Sequence, residues 1–272
     1  MSLITGRLIF ISLLMMIVTT IETLAYSTRI SGVRVKLMAT AISLFSTLVI
    51  VSRFSTTIQQ PLTAKLLSAV PENADPLHFI EEQYRLLIVA VSVGVLIGIL
   101  LFPTFIGIFS RAIVQLTSER GSILSLGLKW INSKGIKKVV RCVRLPKRSD
   151  LKGITFQTIP KRLFMINVAI TSIYTVGVLA SLYASLLVPG NYGQTAVMSS
   201  GIINGIATIL LTLFIDPKAS VLADRVAKKE CAYIYLKSYS LTMIGSKLIG
   251  TLVAQAIFIP AAYYVAWFAK LL

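Results

Sequence analysis

Acidic residues are scarce in this chain: 10 Asp and Glu face 27 Lys and Arg in 272 residues, for a formal net charge of +17. Histidine occurs once, as His78, and cysteine twice, as Cys142 and Cys231. Each shortage closes off a class of function. Without a Cys/His/Asp/Glu cluster at ligand spacing, a metal site has weak support and no cofactor is indicated. Both thiols fall in predicted cytoplasmic loops, where they stay reduced, so no disulfide framework is expected. General acids and bases inside apolar segments are few, which argues against an enzyme. Charge as a whole is low as well, at 14% of residues, where a soluble domain carries about 25%.

What fills the chain instead is apolar. Hydrophobic residues make up 56% of the sequence and the mean hydropathy is +0.82, the balance of an integral membrane protein. A helix rising 1.5 Å per residue needs about 20 apolar residues to cross a hydrocarbon core. Six runs qualify, at 8–26, 37–58, 86–109, 163–188, 195–215 and 248–268. They are continuous and do not alternate as barrel strands do. The fold class is therefore all-α: a polytopic membrane protein of about six transmembrane helices with cytoplasmic amphipathic helices, in a single integral membrane domain over 1–272. Pro103 and Pro260 lie inside the third and sixth runs, where kinks are expected and breaks are not.

Loop charges orient the spans. The first connection carries Arg29, Arg34 and Lys36, the third (110–162) is dense in Lys and Arg, and the fifth holds Lys218, Arg225, Lys228, Lys229, Lys237 and Lys247. The second is rich in acids and the fourth, PGNYGQ, carries no charge. This alternation obeys the positive-inside bias and predicts both termini outside. The same bias accounts for the basic pI, so no nucleic-acid partner is indicated. In the third loop, Ile136, Val139, Val140 and Val143 recur at helical spacing beside Lys137, Lys138, Arg141 and Arg144. That pattern predicts a basic helix that either lies on the anionic leaflet or packs on helix ends. The first run lacks a small-x-small cleavage site and is expected to remain as a span.

Glu22 and Arg53 are the ionisable groups inside spans, and such a group is a functional candidate because burying it in lipid is costly. Glu22 is expected about one turn from the cytoplasmic end of its helix, level with Arg29, Arg34 and Lys36. Arg53 is expected about 24 Å from that side, near the opposite face. A helix-end ion pair would explain Glu22, and snorkelling would explain Arg53. Arg53, however, is accompanied by Ser52, Ser55, Thr56, Thr57, Gln59 and Gln60, and a planar guanidinium among neutral donors suits a phosphate-bearing headgroup. Asn167, Thr171 and Thr175 share one helix face; they either line a wet cavity or bond across helices, which is commoner. Gly94 with Gly98 and Gly201 with Gly205 allow close helix packing. The acids of FIDPKASVLADRV serve ion coupling or helix capping, with Pro217 placed to open a helix.

IETLAYSTRISGVRVK, followed by SLFSTLVIVSR and QQP and then IDPKASVLADRV, closely resembles the Amj family of bacterial alternate lipid II flippases. Thr56 stands where that family tends to carry Asn. The resemblance implies translocation of undecaprenyl-pyrophosphate-linked disaccharide pentapeptide from the cytoplasmic to the outer leaflet of the bacterial cytoplasmic membrane, for peptidoglycan synthesis. Lipid II and membrane lipids are the partners it implies. On that basis the expected headgroup residues are Glu22, Arg29, Arg34 and Lys36 at a cytoplasmic entrance, Arg53, Thr56, Gln59 and Gln60 at an outer site, and Asn167. Six spans make few walls for so large a cargo and no repeat is visible between the halves, so a homodimer is expected. The alternatives are a membrane enzyme acting on polyprenyl pyrophosphate, faintly suggested by Ser52, Arg53, Ser55 and Thr56, and an ion-coupled small-solute carrier.

Overall fold

A computed structural model describes residues 4–71, 75–118, 142–147, 150, 153–155 and 158–271. Among them there is no strand, and six helical stretches are long and apolar enough to cross a membrane. The helices are α1 (Gly6–Ala25), α2 (Ser27–Val35), α3 (Met38–Ala64), α4 (Pro76–Ser118), α5 (Lys161–Leu187), α6 (Gly190–Phe214), α7 (Asp216–Ala227) and α8 (Tyr233–Ala269), with a 3-10 turn at Leu67–Ala69. α4 and α8 run unbroken through Pro103 and Pro260, and α3 through Pro61. The predicted basic helix falls mostly at 136–141, outside the described residues. Val143 and Arg144 follow it without helical structure, and Arg144 pairs with Asp150 at 2.6 Å.

The first span departs most from expectation. Its helical course continues past Tyr26 as α2 and ends only at Lys36, whose left-handed conformation (φ 58°) turns the chain directly into α3. The interruption at Tyr26 has a local cause. Ser27 and Thr28 hydroxyls donate back to the Leu24 and Ala25 carbonyls, each at 2.7 Å, a bond that competes with the helical ladder and bends it. The predicted first loop is thus mostly helix. The second broken span, α6–α7, follows the reading of its sequence: Asp216 and Pro217 open α7 immediately after Ile215.

Packing divides the molecule into two sets of three spans. α1 runs along α4 and leans on α3, while α3 and α4 touch little; α5 runs along α8 and leans on α6, while α6 and α8 touch less. Three crossings separate the sets, so they enter the membrane from opposite sides, the inverted arrangement common among transporters. No repeat is visible in the sequence, but the packing order recurs. α4 joins the two sets through α8 and α5. Two apolar clusters close the ends of the bundle. One gathers around Tyr26, Ile215 and Tyr239, the other around Tyr84, Tyr183 and Phe258.

Of the two Gly-x-x-x-Gly pairs, one packs. A Cβ on Gly98 would stand 2.7 Å from that of Thr23, and Thr20 donates to the Gly94 carbonyl at 2.9 Å. Gly201 and Gly205 meet nothing within 4 Å.

Candidate functional site: a charged cavity between the two halves

Between the apolar end clusters lies a cavity of about 1100 Å³ of empty space, counted to its open mouth. Glu22 and Thr19 reach it from α1; Phe45, Arg53, Thr56, Gln59 and Gln60 from α3; Thr171, Tyr174 and Thr175 from α5; Ala207 and Leu211 from α6; and Lys247 from α8. Glu22 Oε2 pairs with Lys247 Nζ at 2.8 Å, and its Oε1 accepts from the Ser52 hydroxyl at 2.8 Å. Arg53 donates to the Thr208 hydroxyl, and its guanidinium stands 5.6 Å from the Tyr174 ring centre. Gln60 donates to the Ser200 hydroxyl. Thr56 donates to the Ser52 carbonyl at 3.1 Å while lining the cavity, and Gln59 is buried against it.

Two expectations are corrected. Glu22 and Arg53 do not lie at opposite faces, because α1 does not end at Tyr26. Glu22 is about 20 Å along the helical path from Val35, and Arg53 about 22 Å along α3 from Met38. The two strands of the helical hairpin therefore bring them to similar depth around one cavity. Nor does Glu22 pair with Arg29, Arg34 or Lys36, which sit further along the helical path. Arg29 is 2% exposed, pairs with Asp216 at 2.9 Å and stacks 4.2 Å over the Phe45 ring. Arg34 is exposed and donates to the Tyr233 hydroxyl at 3.2 Å, and Lys36 lies at the α2–α3 turn without closing on the cavity.

Asn167 also leaves the cavity set. Its amide donates to the Ser246 hydroxyl at 2.7 Å and to the Met243 carbonyl at 3.2 Å, bonding α5 to α8. Thr171 and Thr175, on the same face, do line the cavity.

Lys247 is the residue that loop counting missed. Taken as a loop charge, it instead lies mid-helix, in YSLTMIGSKLIGTLV. That run is apolar on both sides of the lysine, and this was the signal for an intramembrane cation. The cavity thus holds two cations and one carboxylate among hydroxyls and amides, in an otherwise apolar bundle. Such a site has the chemistry to receive an anion: its charge is net positive, its donors are fixed on helices, and a low dielectric strengthens each contact.

No solved structure matches the chain. Lipid II flippase Amj of Bacillus subtilis (strain 168) is 51% identical over 270 residues, which cover 99% of this chain and 99% of that relative. The family model described as Alternate to MurJ matches residues 14–269, and the chain belongs to that family, Amj.

Proposed function

We propose that this protein is a lipid II flippase, moving the undecaprenyl-pyrophosphate-linked disaccharide pentapeptide from the cytoplasmic to the outer leaflet of the bacterial cytoplasmic membrane, with both termini outside. The observation that carries this reading beyond family membership is the net-positive cavity between the two halves. Pyrophosphate needs cationic and neutral donors, and Arg53 presents a planar fork suited to it. Thr56, Gln59, Gln60, Thr171 and Thr175 supply neutral contacts for sugars and peptide.

The polyprenyl tail requires a side opening to lipid. α3 and α6 pack against each other very little, and the contacts that bridge them are the side-chain bonds Arg53–Thr208 and Gln60–Ser200. Ile50, Phe54 and Ile58 on α3 stay exposed, as lipid-facing residues do. Separating α3 from α6 therefore breaks two polar bonds and little apolar packing, so this seam is the passage for the tail. Arg34 and Lys36, beyond the cavity, attract the headgroup at the cytoplasmic side. A second copy against α6, whose Gly201 and Gly205 are uncovered, would enlarge the walls; a strictly monomeric particle in nanodiscs would rule that dimer out.

The test is complementation of a strain depleted of every other lipid II flippase, with detection of lipid II in the outer leaflet. Wild type restores growth and outer-leaflet signal, and Arg53→Ala restores neither. Growth arrest with lipid II retained inside despite wild-type expression refutes the reading. Phosphate release from lipid pyrophosphate by the purified protein would replace it with the enzyme.

A further inference from the structure

We propose that Glu22 is a resident counter-anion: it occupies on Lys247, beside Arg53, the place that the cargo's pyrophosphate takes, and it vacates that place by binding one proton. The inference rests on the lipid-pyrophosphate reading of the cavity.

The geometry is that of an occupied oxyanion site. One carboxylate oxygen of Glu22 meets the Lys247 ammonium and the other meets the Ser52 hydroxyl, each at 2.8 Å. Arg53 follows Ser52 and lines the same cavity. Phosphate oxygens accept from the same donors at similar distances. The pair is not a packing element, since it faces the cavity, and a buried ion pair by itself contributes little to stability. It also joins α1 of one half to α8 of the other, so whatever replaces Glu22 acts on the contact between halves.

Charge fixes the rest. Two cations and one carboxylate leave a single positive charge, whereas a pyrophosphate esterified at both ends carries two negative charges. Neutralising Glu22 makes the site match its ligand, and an unmatched charge in a low-dielectric cavity is costly. The groups facing Glu22 are Lys247 from α8, Ser52 and Arg53 from α3, Tyr174 from α5 and Tyr26 beyond the end of α1; α4 contributes Val91 and α6 contributes Ala207 and Leu211, none of which carries charge. The proton comes from hydronium in bulk solution through the cavity mouth, leaving water behind; it converts the carboxylate to the acid and releases Lys247 to the ligand.

The experiment is equilibrium binding of lipid II to the full-length protein in phosphatidylcholine nanodiscs between about pH 5.5 and 8, a window across which binding coupled to one proton changes and uncoupled binding stays level. Wild type should bind more tightly as pH falls. Glu22→Gln should bind roughly tenfold more tightly than wild type at the alkaline end, because the competent fraction of the site rises, and should lose the pH dependence. Lys247→Gln should weaken binding roughly tenfold, and Lys247→Arg should retain it. A pH-independent wild type, or a Glu22→Gln protein that binds no better, overturns the proposal while leaving the cavity reading standing. The wild-type titration separates these outcomes even if the variants do not fold. Absence of lipid II binding by wild type at every pH overturns both.

Discussion

The two halves share a packing order but differ in their second span. In the second half, α6 is held firmly along α5, and Asn167–Ser246 and the contact of Gly250 with Thr171 fasten α5 to α8. In the first half, α3 leans on α1 and α2 and touches α4, α5 and α6 only lightly. Yet α3 carries Ser52, Arg53, Thr56, Gln59 and Gln60. Much of the cavity's polar lining thus rides on a span packed only lightly against its neighbours across the cavity, and elements that move come from the low-stability end of a structure.

The sharpest way to break this comparison is to lock one seam of each kind. A Gln60→Cys/Ser200→Cys disulfide should abolish outer-leaflet delivery of lipid II until reductant is added. An Asn167→Cys/Ser246→Cys disulfide, within the second half, should change delivery by no more than about twofold between oxidised and reduced forms, because helices packed this closely behave as one rigid unit. Equal loss from both would mean that the halves do not move as units.

Next in size is the buried bridge between α2 and α7. Asp216→Ala strips Arg29, buried at 2% exposure, of its carboxylate and should cost about 3 to 5 kcal/mol, read by thermal unfolding in detergent. Arg29→Met with Asp216→Ala should recover most of that loss. Smaller still is Gly98→Ala, whose methyl meets Thr23 and should destabilise by about 1 to 3 kcal/mol. Gly201→Ala, with nothing within 4 Å, should change unfolding by less than about 0.5 kcal/mol; a larger loss would reveal a second copy covering α6. Least of all, Glu81→Gln, in the half-exposed pair with Arg85, should cost at most about 1 kcal/mol.

Much of the fold was legible because apolar length is a property of the chain alone. Each of the six runs falls on one of the six long helical stretches, although Pro76–Ser118 and Tyr233–Ala269 extend about ten residues or more beyond their runs, and the start of α7 at Asp216–Pro217 follows from proline's fixed φ. What misled was the end of the first span. A polar stretch, STRISGVRVK, reads as a loop by hydropathy, yet α2 forms there because α3, α4 and α7 cover it and Asp216 meets Arg29. That one error placed Glu22 at a membrane surface and separated it from Arg53. Lys247 is hidden for the opposite reason: a positive charge beside a hydropathy boundary counts with the loop, yet α8 begins at Tyr233 and carries Lys247 mid-helix.

By itself, the sequence determined the membrane class, the number of spans and the family, because hydrophobic length, charge and motif are written locally. Only the tertiary structure decided which charges meet: Glu22 with Lys247 rather than Arg29, Arg29 with Asp216, and Arg53 with Thr208. Those choices depend on how far each helix runs and on which neighbours face it across the bundle. In a low-dielectric interior a charge must take whatever partner the packing brings within reach, however far away that partner lies in sequence.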